Sequence, residues 1–409
     1  MIRRTAALFS GQSSQYIGMY KALYEESKIV CDTIKEAEDV SDIPISKLAF
    51  DGPMTELVDP QNAHIIIHTF GVAAFRDYIA RTGEKPTFCA GHSLGEYAAL
   101  TCAGVFSFRD SINLVKARTE ISLEVQKEYT DGMTIIDGID YDTVAFACKK
   151  QQKLGKMVYV SCINSPSQVA ISGRRNDIDE TENLLLKGGN GSASPLFGSA
   201  PFHCPLMEKG AVKLEKILRS VNFGSFRYPV ISNYTGKVYS ENPEELIHNL
   251  VNHLTNPVQW NSIMKYLERY KIDLLVDFSS KNMFQYFTVS PCKCYGTKRD
   301  REEILQIFSA PEIVKHKQDF MSKCILAVVS TPNKEDDNNA YEKKVLKQYK
   351  ELCDFRKKTE GRTLNRREKK EVLSLLENIL VNKKLPKQTI KSILEEIIDE
   401  TASQYEIIY

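Results

Sequence analysis

Long apolar runs are missing from this chain of 409 residues. No stretch reaches the length that crosses a bilayer. Ala6-Ala7-Leu8-Phe9, behind Met1-Ile2-Arg3-Arg4, is too short for the apolar core of a secretory signal. Excess charge is missing too. The 54 Lys and Arg stand against 53 Asp and Glu, a formal net charge of +1. That balance argues against nucleic acid or a membrane surface as partner. The ten cysteines lack the paired spacing of a metal site: Cys292 and Cys294 form one C-x-C, and no second pair follows. They read as reduced thiols, most of them core residues. There is no internal repeat. What remains is a soluble, cytoplasmic protein of ordinary globular composition, with 42% apolar and 26% charged residues, long enough for two or three units.

The pattern of elements is that of an α/β protein. Thr5 to Phe9 reads as a strand ending in the small polar turn Ser10-Gly11-Gln12-Ser13-Ser14. Ile65 to Ile79 reads as a helix apolar on most faces, and Thr87 to Ala90 as a strand running into Gly91-His92-Ser93-Leu94-Gly95 and a helix. From Gly132 to Phe202 the rhythm changes. Strands at Met133 to Ile139, Val158 to Cys162, Gln168 to Ser172 and Pro195 to Ser199 alternate with helices at Tyr141 to Gln152 and Asp177 to Leu186. This β-α-β-β-α-β order predicts an inserted ferredoxin-like subdomain over 131–202. Tyr228 to Asn233 and Asp273 to Phe278 read as strands and Pro257 to Arg269 as a helix, so the α/β core takes in 1–130 and 203–308. The core is expected to be α/β-hydrolase-like. Beyond it, over 309–409, the polar run Asn333 to Asn339 is followed by apolar residues at helical spacing, broken at Pro386. A mainly helical C-terminal extension is predicted.

G-x-S-x-G between a strand and a helix has a mechanical meaning. The sharp turn lifts the serine above the sheet, and the helix N-terminus behind it favours developing negative charge. The bare motif also describes a helix N-cap serine, so its context has to carry the reading. That context is longer. Gly91-His92-Ser93-Leu94-Gly95-Glu96-Tyr97 resembles the active-site segment of malonyl-CoA:acyl-carrier-protein transacylases and polyketide synthase acyltransferase domains. Gly11-Gln12-Ser13-Ser14-Gln15 with Gly18-Met19, Asn164-Ser165-Pro166 with Ser172-Gly173, Pro201-Phe202-His203-Cys204-Pro205-Leu206-Met207 and Asn256-Pro257-Val258-Gln259-Trp260 are similar to four further segments of that family, in family order.

The resemblance implies a mechanism residue by residue. Ser93 is the nucleophile and His203 its base. The backbone of Asn256 orients the imidazole, and the backbone N–H groups of Gln12 and Leu94 receive the oxyanion. Arg118 clamps the free carboxylate of a malonyl group. Phe202 leaves little room for a 2-methyl branch, and His64 and His92 line the pocket. The implied reaction carries malonyl from malonyl-CoA through a Ser93 ester to the phosphopantetheine thiol of an acyl carrier protein. It needs no metal or redox cofactor. The extension resembles that of discrete acyltransferases, which implies loading of carrier domains of a polyketide synthase in trans, a fatty-acid carrier protein being the other acceptor; a monomer is expected. The competing reading is an acyl hydrolase that clears carrier-bound chains, whose relatives lose the arginine. Three departures stand out. Ser13 replaces a glycine, His64 replaces a glutamine, and Val276-Asp277-Phe278-Ser279-Ser280-Lys281 lacks the usual glycines.

Overall fold

The computed structural model describes residues 4–128, 131–196, 198–309, 320–334, 337, 341–359, 362 and 364–400. The first three residues and most of the polar run 333–339 lie outside them. The chain divides into two compact units, one over Arg4–Ala310 and one from Pro311 onward.

The first unit is built on β1 (Thr5–Phe9), whose five residues are all buried. An unbroken apolar strand suits the middle of a parallel sheet, covered on both faces. β2 (Phe88–Gly91), β7 (Val230–Ile231), β8 (Leu274–Asp277) and β9 (Cys292–Cys294) join it in the parallel order β7-β2-β1-β8-β9. Between β1 and β2 run α1 (Lys21–Glu26), α2 (Lys28–Ser41), α3 (Ile45–Asp51), α4 (Met54–Leu57) and α5 (Pro60–Thr82). α5 begins at the Asp59 cap, which accepts from Gln61 N, with Pro60 in its first turn. It ends at Gly83 in the left-handed region. It is buried along most of its length because it runs through the core. α6 (Gly95–Cys102) follows β2 at once and is buried at every residue; α7 (Phe108–Glu128) packs beside it.

The next segment forms a separate antiparallel sheet. Its order along the chain is β3 (Asp131–Asp137), α8 (Tyr141–Lys153), β4 (Val158–Ser165), β5 (Gln168–Arg174), α9 (Arg175–Leu186) and β6 (Ser192–Leu196). The strands lie in the order β4-β5-β3-β6. The last strand sits earlier than the sequence suggests, with Pro195 inside it. It is an edge strand, where a missing N–H is tolerated. α10 (Glu208–Leu218), α11 (Pro243–Thr255), α12 (Trp260–Arg269) and α13 (Lys298–Ser309) complete the unit.

Two expectations need correction. Of Tyr228 to Asn233 only Val230–Ile231 pairs, because Asn233 turns off the sheet edge to bond the Gly91–Ser93 turn. The helix expected from Pro257 starts at Trp260. Val258 is extended and exchanges hydrogen bonds with β4, accepting from Ile163 N and donating to Ser161 O, each at 2.9 Å. That exchange ties the antiparallel sheet to the nucleophile-bearing core.

The second unit is helical in its described residues: α14 (Phe320–Ser330), a π-helical turn at Tyr341–Leu346, α15 (Lys347–Lys358), α16 (Arg366–Asn382) and α17 (Lys387–Glu400). Its own apolar core includes Cys324, Leu352, Leu376, Ile379 and Leu380. Asn365 and Glu368 form a capping box at the start of α16, and Pro386 stands just before α17. Among the described residues no helix is long and apolar enough to cross a membrane.

Candidate active site

The turn after β2 is as tight as its glycines imply. A Cβ on Gly91 would stand 2.0 Å from the Gly95 carbonyl, and one on Gly95 would stand 2.1 Å from Phe9 O. Both lie far inside van der Waals contact, so strand and helix meet only where no side chain intervenes. Ser93 is held at φ 52, a left-handed conformation that L-residues avoid. The surrounding bonds impose it. Asn233 Oδ1 accepts from Ser93 N at 2.8 Å, and Asn233 Nδ2 donates to Gly91 O at 2.6 Å. One amide side chain therefore brackets the turn on both sides.

Across from it, the His203 ring places Nε2 2.6 Å from Ser93 Oγ. His203 Nδ1 donates to the His253 carbonyl at 2.7 Å, so Nε2 is left as the acceptor that a base requires. This corrects the expectation for Asn256. α11 ends at Asn256 in an extended conformation, and the carbonyl facing the imidazole belongs to His253, three residues earlier. Asn256 instead turns its Nδ2 back to Asn252 O. Burial depresses the His203 pKa well below the usual imidazole range, and the neighbouring His253 and Arg118 add to the effect. The ring is therefore neutral at pH 7.

The Gly11 loop lies directly against the nucleophile turn. A Cβ on Gly11 would meet His92 O at 2.7 Å, with Leu94 N and Ser93 Cβ each at 3.6 Å. Among the described residues no protein acceptor takes the N–H of Gln12 or of Leu94. Ser13 is at φ 76, the conformation its usual glycine would favour. The loop after β8 braces this segment: Ser280 Oγ donates to Ser14 O, and Tyr16 OH donates to Ser280 O at 3.2 Å. Without its glycines that loop is shaped by Asp277, which accepts from Ser279 N at 2.9 Å and Met283 N at 2.8 Å. Burial raises the Asp277 pKa to about 6.

Arg118 of α7 enters the same space. Its Nη2 is 3.5 Å from Ser93 Oγ, and its guanidinium lies 4.4 Å above the centre of the Phe202 ring. It is 2% exposed. Among the described residues no carboxylate forms an ion pair with it, the nearest polar influences being Tyr97 and Glu96. His64 of α5 fits alongside. Thr119 Oγ1 donates to Val115 O at 2.8 Å and so accepts from His64 Nδ1 at 2.8 Å. His64 Nε2 then faces the Gln12 side-chain amide at 3.4 Å. Burial, with Arg118 adding to it, lowers the His64 pKa to about 3. His92 is turned elsewhere: its Nε2 meets Asn164 Oδ1 at 2.8 Å and its ring stands edge-on to Trp260.

Sequence reasoning missed Asn233, Glu96 and His253. Glu96 is an acid in the first turn of a helix, ordinarily read as a dipole partner. Only its complete burial marks it as something else.

Fold and site define a class: an α/β protein built around a serine nucleophile paired with a histidine. Within that class the chain belongs to the acyltransferase family, whose acyl transferase domain matches residues 7–326. It is 34% identical over 280 residues to a malonyl CoA-acyl carrier protein transacylase of Bacillus subtilis, covering 68% of this chain and 69% of that one. It is 34% identical over 272 residues to the Escherichia coli K12 protein of the same name, covering 66% and 87%. Among solved structures, a malonyl-transacylase in complex with its type II PKS acyl-carrier protein matches with a TM-score of 0.71 and 31% identity, covering 74% of this chain and 99% of that one. The malonyl CoA-acyl carrier protein transacylase of Coxiella burnetii matches at 0.72 and 29%, covering 76% and 99%.

Proposed function

We propose that the protein is a malonyl-CoA:acyl-carrier-protein S-malonyltransferase that works through a Ser93 ester. The observation that carries the reading is Arg118, a buried guanidinium with no carboxylate ion-paired to it among the described residues, 3.5 Å from the Ser93 hydroxyl. A buried cation is costly unless paired. A malonyl thioester brings the missing carboxylate at the distance of one methylene from the carbonyl that Ser93 attacks. The same residue weighs against the hydrolase reading.

His203 Nε2 takes the Ser93 proton as Oγ adds to the thioester carbonyl. The Gln12 and Leu94 amides are aimed at the oxyanion. Collapse breaks the C–S bond, and the proton on His203 goes to the departing thiolate of CoA. The carrier's pantetheine thiol then enters, gives its proton to His203 and attacks the ester carbonyl. Ser93 leaves with that proton. Both halves balance without a metal or redox group, and none is proposed. His64 and Phe202 wall the acyl pocket, and His92, turned to Asn164 and Trp260, backs the turn instead.

The acceptor is a carrier protein or the carrier domains of a polyketide synthase served in trans. The similarity to a malonyl-transacylase in complex with its type II PKS acyl-carrier protein favours this, as does the second helical unit. We read the parallel sheet with its nucleophile turn as α/β-hydrolase-like. The β-α-β-β-α-β order and the strand order β4-β5-β3-β6 support a ferredoxin-like subdomain. The proposed boundaries are 131–202 for that subdomain, with 1–130 and 203–308 as core and 309–409 as extension. A cytoplasmic monomer, without a nucleic-acid or membrane partner, is part of the same proposal.

Intact-protein mass spectrometry tests the reading. Wild type is expected to gain one malonyl group from malonyl-CoA and lose it to an added holo carrier protein. Ser93→Ala is expected to gain none, and an adduct surviving that change would remove the mechanism.

A further inference from the structure

The nucleophile and its base come from segments 110 residues apart, yet one buried carboxylate stands behind both. Glu96 is 0% exposed. Its Oε1 accepts from Asn233 N and from Tyr239 OH, each at 2.8 Å. Its Oε2 stands 2.7 Å from His253 Nδ1. Two of these contacts lead to the reacting pair by one further step. Asn233 is the residue whose side chain brackets Gly91 O and Ser93 N. His253 supplies the carbonyl that accepts from His203 Nδ1. Its ring also stacks on the catalytic ring, with centroids 4.7 Å apart and planes 20° apart.

We infer that Glu96 is a positioning residue that sets the Ser93 turn and the His203 ring in register through its contacts with Asn233 and His253. Burial of an acid is costly and persists only where the acceptor is satisfied. Here Oε1 is satisfied by Asn233 N and Tyr239 OH, while Oε2 has only the close approach of His253 Nδ1. Asn233 and His253 belong to the two segments that carry the Ser93 turn bracket and the carbonyl facing His203. The alternative, a carboxylate that only stabilises the fold, predicts no selective effect on acyl transfer. A displacement of about 1 Å in a reacting pair costs on the order of a hundredfold in rate. Arg118, the binding group, feels the charge of Glu96 after that of Tyr97, but it is held by neither Asn233 nor His253 in any contact described above. The inference therefore separates rate from binding.

It rests on the acyl-transfer reading. The test is the rate of Ser93 malonylation, followed by rapid-quench mass spectrometry across malonyl-CoA concentrations, in wild type, Glu96→Gln and Glu96→Ala. Circular dichroism checks that each is folded. Expected for Glu96→Ala is a maximal acylation rate down about 10- to 100-fold, with the half-saturating malonyl-CoA concentration unchanged within about threefold. Glu96→Gln keeps an acceptor for Asn233 N and Tyr239 OH and is expected to recover most of the loss. Folded Glu96→Ala acylating at the wild-type rate would overturn the inference. So would a loss confined to half-saturation. If Glu96→Ala does not fold, Asn233→Ala cuts the same arm one residue nearer the nucleophile and is held to the same two outcomes. A wild type that forms no adduct would instead overturn the acyl-transfer reading itself.

Discussion

In the proposed reaction, substrate choice turns on the guanidinium of Arg118. Phe202 covers one face of it and burial weakens its hold on its proton, so it waits for an anion in a dry place. Arg118→Ala is expected to lower malonylation by about a hundredfold or more, the scale of breaking a buried charge pair. Acetyl and longer uncharged acyl groups should then be accepted. Competition between malonyl-CoA and acetyl-CoA, read as the ratio of adducts on Ser93, checks this; an unchanged ratio would remove the clamp. At this scale the sequence is legible where a residue belongs to a motif. Ser93 and His203 stand together as their collinear segments imply, and Arg118, which lies outside those segments, joins them. The orienting carbonyl was not legible. α11 runs on to Thr255, and the carbonyls that face His203 belong to its last turn: His253 O accepts from the ring and Leu254 O from the backbone N–H. Glu96 was hidden for a different reason: nothing local distinguishes a buried acid at a helix start from a solvated one.

At the scale of elements, β1 and α6 approach closely at Gly95. Gly95→Ala puts a methyl group 2.1 Å from Phe9 O and 2.8 Å from Ser10 O, with backbone on both sides and no flexible side chain to yield. We expect a loss of about 2–3 kcal/mol or more, since neither strand nor helix start can give way cheaply. A urea midpoint equal to wild type would show that the turn is looser than its geometry. In the second unit, Lys383 is buried at the end of α16 and donates to Val328 O, Thr331 O and Thr331 Oγ1. It closes the last carbonyls of α14. Lys383→Met keeps the stem and removes the donor, leaving those acceptors unpaired at a cost of about 1–3 kcal/mol. Protease accessibility of the second unit should rise while Ser93 malonylation is unaffected; unchanged accessibility would rule out the cap. Strand and helix positions were readable from periodicity, with errors concentrated at edges. β7 shortened because Asn233 was needed elsewhere, and β9 was invisible as a three-residue edge strand reading only as C-x-C.

For the molecule as a whole, the buried histidines set the response to acid. Burial first, then a nearby arginine, lowers His64 and His68 to about 3 from 6.5, and His203 is also shifted down. A depressed histidine pKa means that the unfolded chain takes up the proton first. Above pH 6.5 these groups are neutral in both states and contribute nothing. Below it each lowers stability by up to about 1.4 kcal/mol per pH unit until its folded pKa is reached. Asp277 opposes them, since its folded pKa of about 6 against 3.8 holds a proton in the native state over that interval. His92, lowered by burial to about 4, joins the histidines, and four groups against one leave a net loss. The urea midpoint of the acyltransferase unit is expected to fall steadily from pH 7 to pH 5, and a flat profile would count against buried neutral imidazoles.

The brace between the Gly11 loop and the segment after β8 joins the start of the first unit to its far end, Ser280 to Ser14. A chain leaves the ribosome from its N-terminus, so Gln12 and Ser93 emerge long before His203, His253 and Ser280. The reactive hydroxyl has no base and no settled oxyanion loop while synthesis is under way. Contacts of such sequence separation also close late and slowly in folding. The serine is thereby kept inert toward cellular thioesters until nearly all of the acyltransferase unit has been made.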